Sequence, residues 1–521
     1  MKIIQSLALT IGLAMVLISC STKEDREISY QPTWESLKSH PVPEWLQDAK
    51  FGIYAHWGVY SVPAFGNEWY GRLMYDTTPA IHKHHVEKYG DPSEFGYKEF
   101  VNEFKAEKFD PVEWAKLIKE SGAKYAGIAT VHHDGFCLWD SEFTPWNSMD
   151  KGPKRDLYGD LVKELRDYDD MQIVATFHHI RTFDWFLPYK TKFYEPINSE
   201  IRNAYLTKDW DIFDKEYASF YCNQEVGRNL NEFVDEWRNK VKEVIDNYQP
   251  DVIWFDGGQF QEEESEKKVL DILSYYYNKE SEWNKSVEIL NKFPTSKKFN
   301  FGPDVGMLTY EEGRDREATV YRPWIDDQKI SDYSWGYIDG QTYKSANEIM
   351  DGFIDRVARG GGLLLSLCPM ADGTINEAQQ TVLKEMGQWL KVNGEAIYGT
   401  RPWKIHAEGE TEKFMDRSGK HPVWRFKNNC TSEDIRFTQK DNALYAIVLE
   451  SPEDNSVLIK SLSDKTQIST KGINKITLLD SSQDLTWEQT SQGLHVVLPD
   501  DAKDKIALAL KIEMKGKLLL N

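Results

Sequence analysis

The stretch Asp251-Val252-Ile253-Trp254-Phe255-Asp256-Gly257-Gly258 decides the fold class of this chain. Val252 to Phe255 is continuously apolar, as a strand covered on both faces of a parallel sheet requires. Gly257 and Gly258 break the run, so Asp256 stands where the strand meets its loop. In a (β/α) barrel, that end of the strands is where active sites are built. An ionised Asp held there by a rigid strand is a candidate nucleophile.

Working outward, similar runs recur at Phe51–Ala55, Tyr125–Val131, Gln172–Phe177, Thr319–Trp324 and Gly362–Leu367. Amphipathic helices fall between them. Asp110-Pro111-Val112-Glu113 opens one with an N-cap, Pro at the first helical position and an acidic first turn, and Gly122 closes it. Leu230, Phe233, Val234, Trp237, Val241, Val244, Ile245 and Tyr248 keep helical spacing just before the Asp256 strand. Strand-then-helix order implies parallel strands with helical crossovers. The expected class is α/β, a (β/α)8-like TIM barrel over residues 34–400. A doubly wound open sheet is the alternative, since periodicity alone does not close a barrel. From Arg401 the pattern changes to short apolar runs between turns, at Leu444–Leu449, Lys475–Leu479, Leu494–Leu498 and Ile506–Ile512, which predicts a C-terminal antiparallel β-sandwich over 401–521.

Acidic residues outnumber basic ones by 84 to 63, a net charge of −21, which argues against a nucleic-acid partner because phosphate binding needs a basic face. Aromatics make up 13% of the chain. Cores use aromatic rings, and so do sugar sites, where ring faces cover pyranose C–H groups. In residues 1–19, Lys2 precedes an apolar stretch through Ile18 that is too short to span a bilayer comfortably. They end in Leu17-Ile18-Ser19-Cys20, which resembles a bacterial lipoprotein signal. Cleavage there would leave a lipidated Cys20 and an acidic, polar tether over residues 20–33; a plain signal peptide is the alternative. The expectation is an exported lipoprotein of a Gram-negative bacterium, periplasmic or on the cell surface, whose membrane contact is the lipid alone. Cys137, Cys222, Cys368 and Cys430 are widely spaced with no CxxC, against a zinc site or redox pair.

The predicted strand ends carry the chemistry. They present His56-Trp57, then His132-His133-Asp134, then His178-His179, then Asp256, then Trp324 with nearby acids. One such His is ordinarily structural; their convergence at one end of a sheet is the argument for a site. A metal is not expected. Adjacent His132 and His133 would point to opposite sides of a strand, and no HExxH is present. Neutral imidazoles that hydrogen-bond sugar hydroxyls fit better. No cofactor is called for.

Residues 51–72 read FGIYAHWGVYSVPAFGNEWYGR, 124–140 read KYAGIATVHHDGFCLWD, 252–257 read VIWFDG, 333–337 read YSWGY and 394–403 read GEAIYGTRPW. In this order they closely resemble glycoside hydrolase family 29, the α-L-fucosidases. The resemblance implies a (β/α)8-like catalytic domain followed by a β-sandwich, and hydrolysis with retained configuration. Asp256 matches the family nucleophile. His56, Glu68, His132, His133 and Trp254 match residues lining a fucose pocket, with Trp69 beside Glu68 in the same motif. Trp57, His178, Arg314 and Trp324 complete the candidate substrate-binding set, and a fucosylated oligosaccharide or polysaccharide is the expected partner.

A retaining glycosidase needs a second carboxyl about 5 Å from the nucleophile, protonated when it assists the leaving oxygen. Here the sequence departs from its relatives. Many carry Glu after a Trp shortly before the SWGY-like segment, but this chain reads Arg322-Pro323-Trp324-Ile325-Asp326-Asp327, and Ile cannot transfer a proton. Glu312 and Glu68 are the acid/base candidates, with Asp326 or Asp327 behind them. The same Ile325 motivates an alternative from another class, a glycosidase-like protein that binds α-L-fucose or α-L-galactose with weak or no catalysis.

Overall fold

The computed structural model describes residues 29–519 apart from 191–197, 257–262, 293–300, 302–303, 313–321, 412, 417–422, 427–428, 482 and 503–505. The segment read as a lipoprotein signal, with Cys20, lies outside the described residues, as do Gly257, Gly258 and Arg314.

Eight parallel strands close into a barrel in chain order. They are β1 (Phe51–Ala55), β2 (Tyr125–Val131), β3 (Gln172–Phe177), β4 (Val252–Phe255), β5 (Glu288–Lys292), β6 (Met307–Glu311), β7 (Trp324–Lys329) and β8 (Gly361–Leu367). Strand alternation sorts their side chains into two sets. Tyr54, Tyr125, Val174, Val252, Trp254, Leu290, Met307, Ile325 and Leu364 form one apolar cluster inside the barrel, joined by Leu46 and Ala49. Phe51, Ile53, Ala126, Ile128, Ile173, Ala175, Ile253, Phe255, Ile289, Leu363 and Leu365 belong to the larger cluster under the helices. Both faces are covered, which is why β1 to β4 and β8 read as unbroken apolar runs. The interior is tight: a Cβ on Gly52 would fall 2.0 Å from the Tyr125 ring.

Two differences from the sequence reading share one cause. β5 and β6 gave no apolar run, and the run placed at Thr319–Trp324 marks only the entry to β7, which begins at Trp324. Alternation puts Lys292, Glu311, Asp327 and Lys329 on the interior face of these strands, so hydrophobicity alone passes over them.

The crossover helices follow their sequence signals. Asp110 caps the helix Pro111–Glu120 by accepting from the amides of Val112 and Glu113. The helix Leu230–Tyr248 buries Phe233, Val234, Trp237, Val241, Val244, Ile245 and Tyr248 against the barrel. Among the described residues no helix is long and apolar enough to cross a membrane.

Beyond the barrel the chain forms antiparallel sheets. A five-stranded sheet orders its strands as 473–478, 508–514, 443–448, 435–440 and 401–408; a three-stranded sheet contains 456–459, 494–497 and 487–489. Leu444, Ala446, Val448, Leu508, Leu510 and Ile512 face the second sheet and share a core with Val457, Ile459, Leu494 and Val496. Tyr445, Ile447 and Ala509 face the other way and join the barrel's cluster.

Candidate active site

Asp256 follows β4 directly, and its amide donates to the Phe177 carbonyl at the end of β3 (2.9 Å). Trp254 pairs with Leu290 across β4 and β5, so two residues further Asp256 and Lys292 stand side by side on the interior face. The Lys292 ammonium bonds Asp256 Oδ1 and reaches Glu311 Oε2 on β6 at 3.1 Å. Trp254, one interior layer below Asp256, donates its indole N–H to Thr309 Oγ1 (3.2 Å), and Lys292 Nζ lies 5.1 Å over its ring. Trp254 is therefore the floor beneath the carboxylate.

The histidines form the wall. His56 Nδ1 is 2.7 Å from Ser366 Oγ on β8. His133 Nδ1 donates to the His178 carbonyl (2.6 Å), which sets the ring with Nε2 3.4 Å from Asp256 Oδ2. The His132 ring centroid is 5.6 Å from His56 and 5.1 Å from His178. The Nδ1 atoms of His132 and His178 are buried without a hydrogen-bond partner among the described residues. The expectation that His132 and His133 diverge is corrected: β2 ends at Val131, so alternation no longer governs them, and both rings turn toward the same space. Trp69 stands edge-on to His133 (5.5 Å), and Trp335 lies 5.1 Å from His56.

The electrostatics separate one anion from neutral imidazoles. Burial works against the Asp256 carboxylate, but Lys292, then Arg181, then His178 and His133 outweigh it and hold the carboxyl well below its usual range. Burial is also the first cause that lowers the histidines, His56 to about 3 and His133 to about 4, with His132 and His178 well below their ordinary value. At neutral pH the pocket presents an ionised Asp256 among uncharged rings that can donate and accept hydrogen bonds. Among the described residues no three His, Cys, Asp or Glu side chains are arranged to hold a metal ion.

Other expected positions fall elsewhere. Trp57 is not in the pocket: its ring packs on Phe104, Phe109 and Trp114, and its N–H donates to Met370 O (2.7 Å). Trp324 opens β7 at the far end of the barrel from Asp256, edge-on to Tyr310 and against Gly361, because the strand starts there instead of ending there. Ile325 pairs with Thr309 and Gly362 and belongs to the apolar interior cluster, one layer below Asp327. Asp326 points outward and is ion-paired to Arg356 (2.6 Å).

The two acid/base candidates differ in their surroundings. Burial raises the Glu312 carboxyl, but the Lys344 and Lys329 ammonium groups prevail and hold it below its ordinary value. Lys329 Nζ is 2.8 Å from Glu312 Oε2, so this carboxylate is a poor proton donor. Glu68 Oε2 accepts from Ser334 Oγ (3.1 Å) and the Trp335 amide (3.2 Å), and no cation lies within ion-pair distance of it among the described residues. Sequence reading missed Lys292, Glu311, Arg181 and Trp335. Only strand parity, read from Asp256 through β5 to β6, could have pointed to the first two.

A carboxylate over an indole floor, ringed by neutral imidazoles, suits a small polyhydroxylated ring with one apolar face. Sequence models of the alpha-L-fucosidase family and of its C-terminal domain match residues 16–395 and 427–513. The chain is 29% identical to an alpha-L-fucosidase of Branchiostoma floridae, over 94% of this chain and 96% of that one. It is 30% identical to the plasma alpha-L-fucosidase of Homo sapiens, over 90% and 88%. The crystal structure of Thermotoga maritima alpha-fucosidase in complex with fucose superposes with a TM-score of 0.70 at 30% identity, covering 93% of this chain and 100% of that one. By these matches and by the architecture they share, the chain belongs to the alpha-L-fucosidase family, glycoside hydrolase family 29.

Proposed function

We propose that this protein is an exo-acting, retaining α-L-fucosidase that removes terminal α-L-fucosyl groups from glycans or polysaccharides. The observation that carries the reading is Asp256, an ionised carboxylate fixed at the end of β4 among neutral imidazoles. Asp256 attacks the anomeric carbon and the glycosidic C–O bond breaks as the leaving oxygen takes a proton, giving a covalent glycosyl-enzyme. Water, deprotonated by the same acid/base group, then frees the sugar with its configuration retained. His56, His132, His133 and His178 bind the sugar hydroxyls, and Trp254 covers an apolar face. Of the two leading acid/base candidates, Glu68 accepts from Ser334 Oγ and the Trp335 amide with no cation at ion-pair distance among the described residues, whereas Glu312 is held by Lys329.

Kinetics with an aryl α-L-fucoside test the assignment. Asp256→Gly lowers the rate by about 10⁴ or more, and azide restores turnover with formation of the β-fucosyl azide. Wild-type rates in Asp256→Gly would overturn it.

The N-terminal segment supports a further part of the reading, export as a lipoprotein held on the outer membrane through Cys20. Incorporation of a labelled fatty acid that persists in Cys20→Ala would refute it.

A further inference from the structure

Trp335 stands in the pocket wall against His56, and the loop after β7 that brings it there is tied down along its length. The Lys344 amide donates to Ile330 O (3.0 Å) and the Asp332 amide to Thr342 O (3.0 Å), so the loop closes on itself like a hairpin. The Lys344 ammonium donates to Ser331 O (2.6 Å). The Asp339 amide donates to Ala64 O (2.9 Å), which joins this loop to the one after β1. Ser334 Oγ and the Trp335 amide both donate to Glu68. Within this frame Tyr333 is 68% exposed, more than any other large hydrophobic side chain among the described residues.

Single exposed apolar side chains are common on protein surfaces. Two facts set this one apart. Its backbone is held by a closed, cross-linked loop, so the ring is presented from a fixed base. It also adjoins the pocket: two residues of chain span about 7 Å at most, which places Tyr333 within roughly one sugar ring of Trp335, on the solvent side of the wall. Asp256 lies inside that wall and is buried. A fucosyl group seated on it leaves the next sugar at the mouth. The charges at the base of the loop are turned inward, since Lys329 and Lys344 are buried and both approach Glu312 (2.8 and 3.9 Å), and Asp332 accepts from the Thr342 hydroxyl. What the loop offers outward at this point is an uncharged aromatic face.

We propose that Tyr333 is a specificity-determining residue, the platform on which the sugar bearing the fucose rests. Its partner is a neutral pyranose, whose C–H face covers the ring. A tyrosine suits the task because it loses little conformational freedom on contact. Binding energy gained there is spent on the step in which that sugar leaves, so it enters kcat/KM. The proposal rests on the fucosidase reading above and adds the class of leaving group: a pyranose in preference to a small alcohol.

The experiment compares kcat/KM for two substrates that both need an acid to leave. One is methyl α-L-fucoside, which has no ring beyond the bond. The other is whichever of a set of α-L-fucosyl disaccharides of galactose and N-acetylglucosamine the wild type cleaves best. Tyr333→Ala lowers the ratio of disaccharide to methyl kcat/KM about 10-fold. Tyr333→Phe and Tyr333→Trp, which keep an aromatic face, hold the wild-type ratio. An unchanged ratio in Tyr333→Ala, whether neither rate falls or both fall together, overturns the platform, and so does an equal loss in Tyr333→Phe. A wild-type protein that releases fucose from neither substrate nor from an aryl α-L-fucoside would instead overturn the fucosidase reading itself.

Discussion

Glu312 shows why a carboxylate near a site is not thereby a catalytic acid. It sits at the end of β6 with a left-handed backbone (φ 51°), its amide donating to Asp327 O, and its side chain bonds Lys329. A general acid must hold a proton near working pH, whereas this one gains stability from being charged. Removing one partner of such a buried pair costs about 3 kcal/mol or more. Glu312→Gln is therefore expected to lower the melting temperature at pH 7, and azide should not rescue its activity. The sign of the pH effect follows from the folded carboxyl lying below its ordinary value. The contribution is present above the unfolded value of about 4.3 and disappears as pH falls below it. The wild-type and variant melting temperatures should converge in that acidic range. Azide rescue of Glu312→Gln would restore it as the acid/base. Asp256 itself was legible in the sequence because an apolar run followed by Gly-Gly has few readings. Its companion Lys292 was not, because a single Lys after Glu288-Ile-Leu-Asn carries no sign of what faces it.

At the scale of elements, the strands divide by what they carry. β1 to β4 and β8 are apolar on both faces and were readable, whereas β5 to β7 bring charge into the barrel and were not. The same division explains Ile325. In β7, residues 325, 327 and 329 face inward in successive layers, and Ile325 lies in the lowest of these, with Trp254, Leu290, Met307 and Leu364. A side chain there cannot reach a leaving group at the rim, so its being Ile does not decide whether the enzyme is active. Ile325→Glu should then raise no activity. It would place a carboxyl in an apolar layer without a partner, at a cost of about 3 kcal/mol or more. A lower melting temperature with unchanged or reduced kcat/KM is the expected outcome; a gain in activity on substrates with poor leaving groups would show that β7 does bring this position to the chemistry.

At the scale of the whole molecule, the sandwich is built onto the barrel and not merely tethered to it. Its five-stranded sheet is apolar on both faces, and the outer face, with Tyr445, Ile447 and Ala509, lies in the same cluster as the helices Ala346–Ala358 and Glu377–Asn393. Polar contacts fix the join: Arg436 Nε to Asp355 Oδ1 (2.8 Å), the Trp389 N–H to Ala507 O (2.8 Å) and Tyr445 OH to Glu395 (2.8 Å). The alternation reading predicted the sandwich but not this shared face, since an apolar run does not say which of its sides meets which partner. A buried ion pair between the units means that loosening one loosens the other. Every tryptophan except Trp403, Trp424 and Trp487 precedes residue 401, so fluorescence reports mainly on the barrel. Arg436→Met, a change confined to the sandwich, removes the buried Arg436–Asp355 pair and keeps the one between Asp355 and the half-exposed Arg359. The fluorescence midpoint in urea should then fall along with the loss of β-sheet circular dichroism, in one transition, by an amount equivalent to about 3 kcal/mol. If the fluorescence midpoint stayed in place while only the sheet signal moved, barrel and sandwich would be independent folding units.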